Sequence, residues 1–81
     1  MLVTIHLFAR LREIAGAADL QRELPDDATA RAAWDALARE HPDLAPYGQA
    51  VSVAVNEEYA RFSTPLKNGD EVAFLPPVSG G

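Results

Sequence analysis

Cysteine is absent from this 81-residue chain, and that absence removes several chemistries at once. No disulfide staple can form, no thiolate zinc site can be built, and no cysteine nucleophile is available. A reducing compartment fits. Long apolar runs are also missing, so no segment is expected to cross a membrane. Met1-Leu2-Val3-Thr4 lacks the basic region and cleavage site of a secretory signal, and the expectation is a soluble cytoplasmic protein. Basic residues are few and scattered: seven Lys and Arg stand against twelve Asp and Glu, for a formal charge of −5. Phosphate-backbone binding draws on clustered Lys and Arg, so nucleic acid is not an expected partner. The acidity suits docking on a basic partner and equally serves solubility. There is no internal repeat, low-complexity tract or linker. No G-x-x-x-x-G-K loop is present, so any ATP must be handled by a separate enzyme.

What is present reads as one small domain. At 48% hydrophobic and 23% charged the composition is that of an ordinary globular chain. Residues 1–8 read as a strand with Val3, Ile5 and Leu7 on one face and Thr4, His6 and Phe8 on the other. Residues 9–15 suit a short helix stopped by Gly16. Residues 19–24 make a weaker strand, because Arg22 interrupts the apolar pair Leu20 and Leu24. Thr29 or Asp27 can cap a main helix that runs to Glu40 or His41, with Ala30, Trp34, Leu37 and Ala38 as its apolar stripe. A loop is predicted over residues 42–49. Val51, Val53 and Val55 alternate in a third strand, a tight turn at Asn56-Glu57-Glu58 leads to a short strand over residues 59–62, and a last strand follows Lys67-Asn68-Gly69-Asp70 with Val72 and Phe74 inward.

One main helix on one face of a mixed sheet of about five strands is a two-layer α+β domain, over residues 1–75. Its other face is left open. That face carries Thr4, His6, Phe8, Ser52, Ala54, Ala73 and Leu75, and if the first and last strands are neighbours Phe8 and Leu75 join into an apolar patch suited to a protein partner. His6 and His41 are far apart in the pattern and are expected as surface residues, with no metal site. The pairs Glu57-Glu58 and Asp70-Glu71 read as solvated turn residues rather than acid/base pairs.

Residues 76–81 form a separate tail. Pro76-Pro77 ends the last strand and stiffens its exit. Val78 is the one sizeable apolar anchor, and Ser79 is a spacer. Gly80 and Gly81 carry no side chain, so they can enter a channel too narrow for any other residue. Six extended residues reach about 20 Å. The expected picture is a globular handle presenting the Gly81 carboxylate on a thin probe. A carboxylate must be activated before it transfers anything, and acyl adenylation is the usual route.

The segments Leu7-Phe8-Ala9-Arg10-Leu11-Arg12-Glu13, Ala54-Val55-Asn56 and residues 66–81, ending Leu75-Pro76-Pro77-Val78-Ser79-Gly80-Gly81, resemble the MoaD/ThiS family of ubiquitin-like sulfur carriers, and within it the small subunit of molybdopterin synthase. The resemblance implies a β-grasp fold with a flexible Gly-Gly tail. It implies that an E1-like adenylating enzyme (MoeB-type) activates Gly81 with ATP, and that a persulfide-derived sulfur then makes the thiocarboxylate. The tail would insert into the large subunit (MoaE-type), and its sulfur would pass to cyclic pyranopterin monophosphate. Two transfers would build the dithiolene. The chain would not be catalytic alone and would hold no stable cofactor. The partner surface of the family maps here to Phe8, Tyr59 and Leu75, with Pro76, Pro77, Val78 and Ser79 leading to Gly80 and Gly81. Two related readings are a ThiS-type carrier for thiamine thiazole synthesis and a ubiquitin-like modifier joined to lysine. The short helix after Phe8 favours the molybdopterin reading over the first.

Overall fold

Strict alternation builds the first strand. In the computed structural model, which describes residues 1–77, β1 (Leu2–Leu7) buries Val3, Ile5 and Leu7, with none more than 2% exposed. The chain then turns sharply through Ala9, whose φ is 51°, into α1 (Ala9–Ala15). Gly16 ends α1 in the left-handed conformation, and its N–H donates to the Arg12 carbonyl at 2.9 Å. β2 (Asp19–Glu23) returns antiparallel to β1. Arg22 breaks the apolar alternation for a reason outside the strand: its Nε donates to Glu40 at 2.7 Å, tying β2 to the end of the main helix. That hydrogen bond lowers the Glu40 pKa and raises that of Arg22.

The main helix, α2 (Ala30–Glu40), buries Ala30, Ala33, Trp34 and Leu37. Ala38, expected in this stripe, is only half-buried, and Ala33 takes its place. Thr29 occupies the N-cap position, but its hydroxyl makes no capping bond. Backbone carbonyls do that work instead: Ala30 N–H donates to Thr64 at 3.0 Å and Arg31 N–H to Phe62 at 2.9 Å. The predicted loop after α2 contains a 3-10 helix, Pro42–Tyr47, which places Leu44 in the core with no exposure. Its prolines and polar residues conceal a single inward leucine. Behind it, Gly48 lies so close to Trp34 that a Cβ there would sit 3.1 Å from the indole nitrogen.

The second half of the sheet is β3 (Ser52–Val55), β4 (Glu58–Ala60) and β5 (Glu71–Leu75). The sequence predicts the β4 strand over residues 59–62. It stops at Ala60 because residues 61–64 close a turn, with Arg61 N–H on Thr64 Oγ1 at 2.9 Å, and because the Phe62 carbonyl is spent on α2. The strand order is β2-β1-β5-β3-β4, so the last strand lies at the centre, parallel to β1 and antiparallel to β3. Phe74 of β5 is fully buried, edge-on to Trp34 at 5.1 Å and stacked with Phe62 at 6.3 Å. A mixed sheet grasping one helix is the β-grasp fold. The helix covers one face, and the other is open.

Candidate functional site

Register decides what the open face presents. Across the five strands one row reads Asp19, His6, Ala73, Ala54 and Tyr59. The two central alanines give a low floor. Around it stand Phe8, Glu57, Tyr59 and Leu75, which with Ala54 and Ala73 enclose a shallow basin of about 290 Å³. Phe8 is 45% exposed and Tyr59 86% exposed, a large apolar contribution for two side chains on one rim. Phe8 follows β1 in extended backbone, in phase with the outward even positions of the strand, and its carbonyl accepts from Leu11 N–H at 3.1 Å as α1 begins. Leu75 reaches the rim because β5 is adjacent to β1. The expected joining of Phe8 and Leu75 is therefore present, and Tyr59 completes it.

A polar half adjoins this basin. His6, Phe8, Asn56, Glu57, Glu71 and Ala73 line a second hollow of about 400 Å³. His6 is more than the surface residue predicted. Its Nδ1 lies 2.6 Å from Asp19 Oδ1 on β2, and its Nε2 lies 2.8 Å from Glu71 Oε1 on β5. Only the imidazolium has a proton on each nitrogen to give to both carboxylates. The pKa is accordingly raised above the usual 6.5, chiefly by the Asp19 hydrogen bond and then by that of Glu71, against a smaller desolvation effect. Glu71 is solvated as expected, but it is a strand residue paired with histidine rather than a turn residue. Asp70 is also engaged, accepting from Lys67 N–H at 2.8 Å and Asn56 Nδ2 at 2.9 Å. Period-two counting places His6 on this face, but the pairing of β1 with both β2 and β5 is needed to see its partners. Glu57 was likewise invisible as a site residue, because its place depends on the turn that carries it.

His41 sits apart, at the end of α2, with its N–H on the Leu37 carbonyl at 2.8 Å. Among the described residues no cluster of His, Asp and Glu could hold a metal ion, and no helix is long and apolar enough to cross a membrane. Pro76 is half-buried and Pro77 exposed at the end of β5. Val78, Ser79, Gly80 and Gly81, named above as the working tail, lie outside the described residues. The central strand thus delivers the chain to the tail from the edge of the apolar basin.

Comparison with known proteins bears on this arrangement. The model of the ThiS family matches residues 5–81. The chain is 38% identical over 79 residues to a molybdopterin synthase sulfur carrier subunit of Arabidopsis thaliana, a match covering 98% of this chain and 82% of that protein. Among solved structures, SAMP1 of Haloferax volcanii aligns with a TM-score of 0.88 at 36% identity, covering 100% of both chains. A complex of subunits 1 and 2 of the molybdopterin-converting factor from Helicobacter pylori contains a chain that aligns with a TM-score of 0.68 at 26% identity, again covering 100% of both.

Proposed function

The chain belongs to the ThiS family, and from that premise we propose that it is the sulfur-carrier small subunit of molybdopterin synthase. The Gly81 carboxylate is the working group. A carboxylate oxygen attacks the α-phosphorus of ATP in the active site of an E1-like, MoeB-type enzyme, and pyrophosphate leaves. The outer sulfur of a donor persulfide then displaces AMP to give an acyl disulfide, and a thiol attacks the donor-side sulfur of its S–S bond, leaving a C-terminal thiocarboxylate and a disulfide on the donor. Gly80 keeps the approach free of side chains. The open sheet face docks on the large, MoaE-type subunit, whose active site receives the tail and where the sulfur passes to cyclic pyranopterin monophosphate. The small subunit holds no cofactor of its own and catalyses nothing alone.

The observation that carries this reading is the convergence of Phe8, Tyr59 and Leu75 around the end of β5, where Pro76-Pro77 leads into the tail. A docking surface at the root of the tail fixes the distance over which the carboxylate reaches into a partner. The Helicobacter pylori complex supports a two-subunit assembly for a chain of this fold. The test is adenylation: with the adenylating enzyme and ATP, deletion of Gly81 or Gly80→Val leaves the melting temperature unchanged and abolishes ATP–pyrophosphate exchange. Exchange at the unchanged rate in either variant defeats the proposal. A second reading, a protein modifier joined to lysine amines, is favoured by the likeness to the Haloferax volcanii protein, which is named a small archaeal modifier protein. It uses the same activated carboxylate and differs only in the acceptor.

A further inference from the structure

Three non-glycine residues among those described have a left-handed backbone, Ala9 at φ 51°, Asn56 at φ 51° and Glu57 at φ 71°, and the last two line the hollows of the open face. Such strain persists where something else requires it. For Asn56 the requirement is internal. Asparagine tolerates this region, and its side chain secures the hairpin, donating to Asp70 Oδ1 at 2.9 Å and accepting from Glu71 N–H at 3.0 Å. Glu57 has no such return. It is the second central residue of the two-residue turn flanked by the Val55–Glu58 pair, a place that favours glycine. Its carboxylate enters no side-chain hydrogen bond or ion pair among the described residues, although it lines both hollows of the open face.

Resting on the docking reading above, we infer that Glu57 is a specificity residue of this face, and that the partner surface covering the basin presents an arginine or lysine to it. A partner seated on Phe8, Tyr59 and Leu75 removes the Glu57 carboxylate from water. A charge buried without a counter-charge strongly opposes association. This chain supplies none from within the two hollows: His6 is the one basic residue lining them, and both its ring nitrogens are engaged by Asp19 and Glu71. The counter-charge therefore comes from the partner. The net charge of −5 points to the same complementarity. The left-handed turn sets an exposed glutamate on the lining of an otherwise apolar basin, at a position where glycine would relieve the backbone and leave the basin unmarked.

The experiment titrates the chain with a separately purified large subunit of molybdopterin synthase, at low and high salt. Glu57→Gln keeps the backbone and removes the charge; Glu57→Gly removes both charge and strain. Each should weaken binding about 10-fold or more and flatten its salt dependence. Glu57→Gly should at the same time melt a few degrees higher, because glycine fits the left-handed position. Glu58→Gln, which changes an exposed neighbouring carboxylate that lines neither hollow, should bind as the unchanged chain does. Undiminished binding by Glu57→Gln overturns the inference, as does an equal loss in Glu58→Gln, which would report general charge only. Binding that Phe8→Asp abolishes while Glu57→Gln leaves it intact refutes this inference and spares the docking reading. No binding by the unchanged chain refutes both.

Discussion

Replacing Tyr59 by alanine separates docking from folding better than any other change on the open face. The tyrosine is 86% exposed, so the monomer draws almost no burial from it. An aromatic side chain offers about 200 Å² of surface. If docking covers half of that, about 100 Å² leaves water, worth about 2.5 kcal/mol at 25 cal/mol per Å². Loss of the ring should then weaken the complex with the large subunit by about 50-fold or more, since 1.4 kcal/mol is a factor of ten. The monomer loses at most the β-propensity difference of a strand residue, under about 1 kcal/mol. Calorimetric titration measures the first quantity and thermal melting the second. Affinity within threefold of the unchanged chain refutes the placement of Tyr59 on the docking surface. A fall in stability that accounts for the whole loss of binding refutes the claim that this residue stands outside the core.

Other outcomes follow from named contacts. The His6 imidazolium is stabilised by folding, since its pKa is raised above the 6.5 of the free side chain. Its contribution is therefore fully present below pH 6.5 and is lost as pH rises through the higher folded value. Melting temperatures of the chain and of His6→Gln should diverge below pH 6.5 and converge above the folded value; a gap independent of pH would contradict the bridge to Asp19 and Glu71. Gly48→Ala should destabilise by about 1–2 kcal/mol, because the new methyl would press on the buried Trp34 ring 3.1 Å away and on the Ala45 carbonyl at 3.3 Å. A neutral or stabilising result in denaturant melts would mean that the ring has room to move. Phe74→Ala, by contrast with Tyr59→Ala, should cost about 3–5 kcal/mol of a stability that is typically 5–15 kcal/mol, and the fraction unfolded by circular dichroism should show it.

The sequence pattern carries the sheet best where alternation is strict. Val3, Ile5 and Leu7, and Val72 and Phe74, sit on the buried face as their spacing predicts, and the outward positions of Phe8 and Leu75 follow. The pattern fails where a distant segment makes the decision. Arg22 interrupts an apolar strand because Glu40 of α2 receives it. Thr29 is spared capping because the carbonyls of Phe62 and Thr64 reach the helix first. Leu44 alone signals the 3-10 helix, and one leucine among prolines has no periodicity to read. At the site, the apolar rim is legible and the polar half is not. His6 takes its charge from strands on both sides, and Glu57 takes its place from a turn conformation that glutamate rarely adopts.

The central claim is that the carboxylate of Gly81 becomes a thiocarboxylate used for molybdopterin. Intact-mass spectrometry after incubation with the adenylating enzyme, ATP and a sulfur donor tests it most directly. One oxygen should be exchanged for sulfur at the C-terminus, and addition of the large subunit with cyclic pyranopterin monophosphate should return the carboxylate as molybdopterin forms. Accumulation of lysine-linked conjugates with no thiocarboxylate, or a thiocarboxylate consumed only by a thiazole synthase, would contradict it.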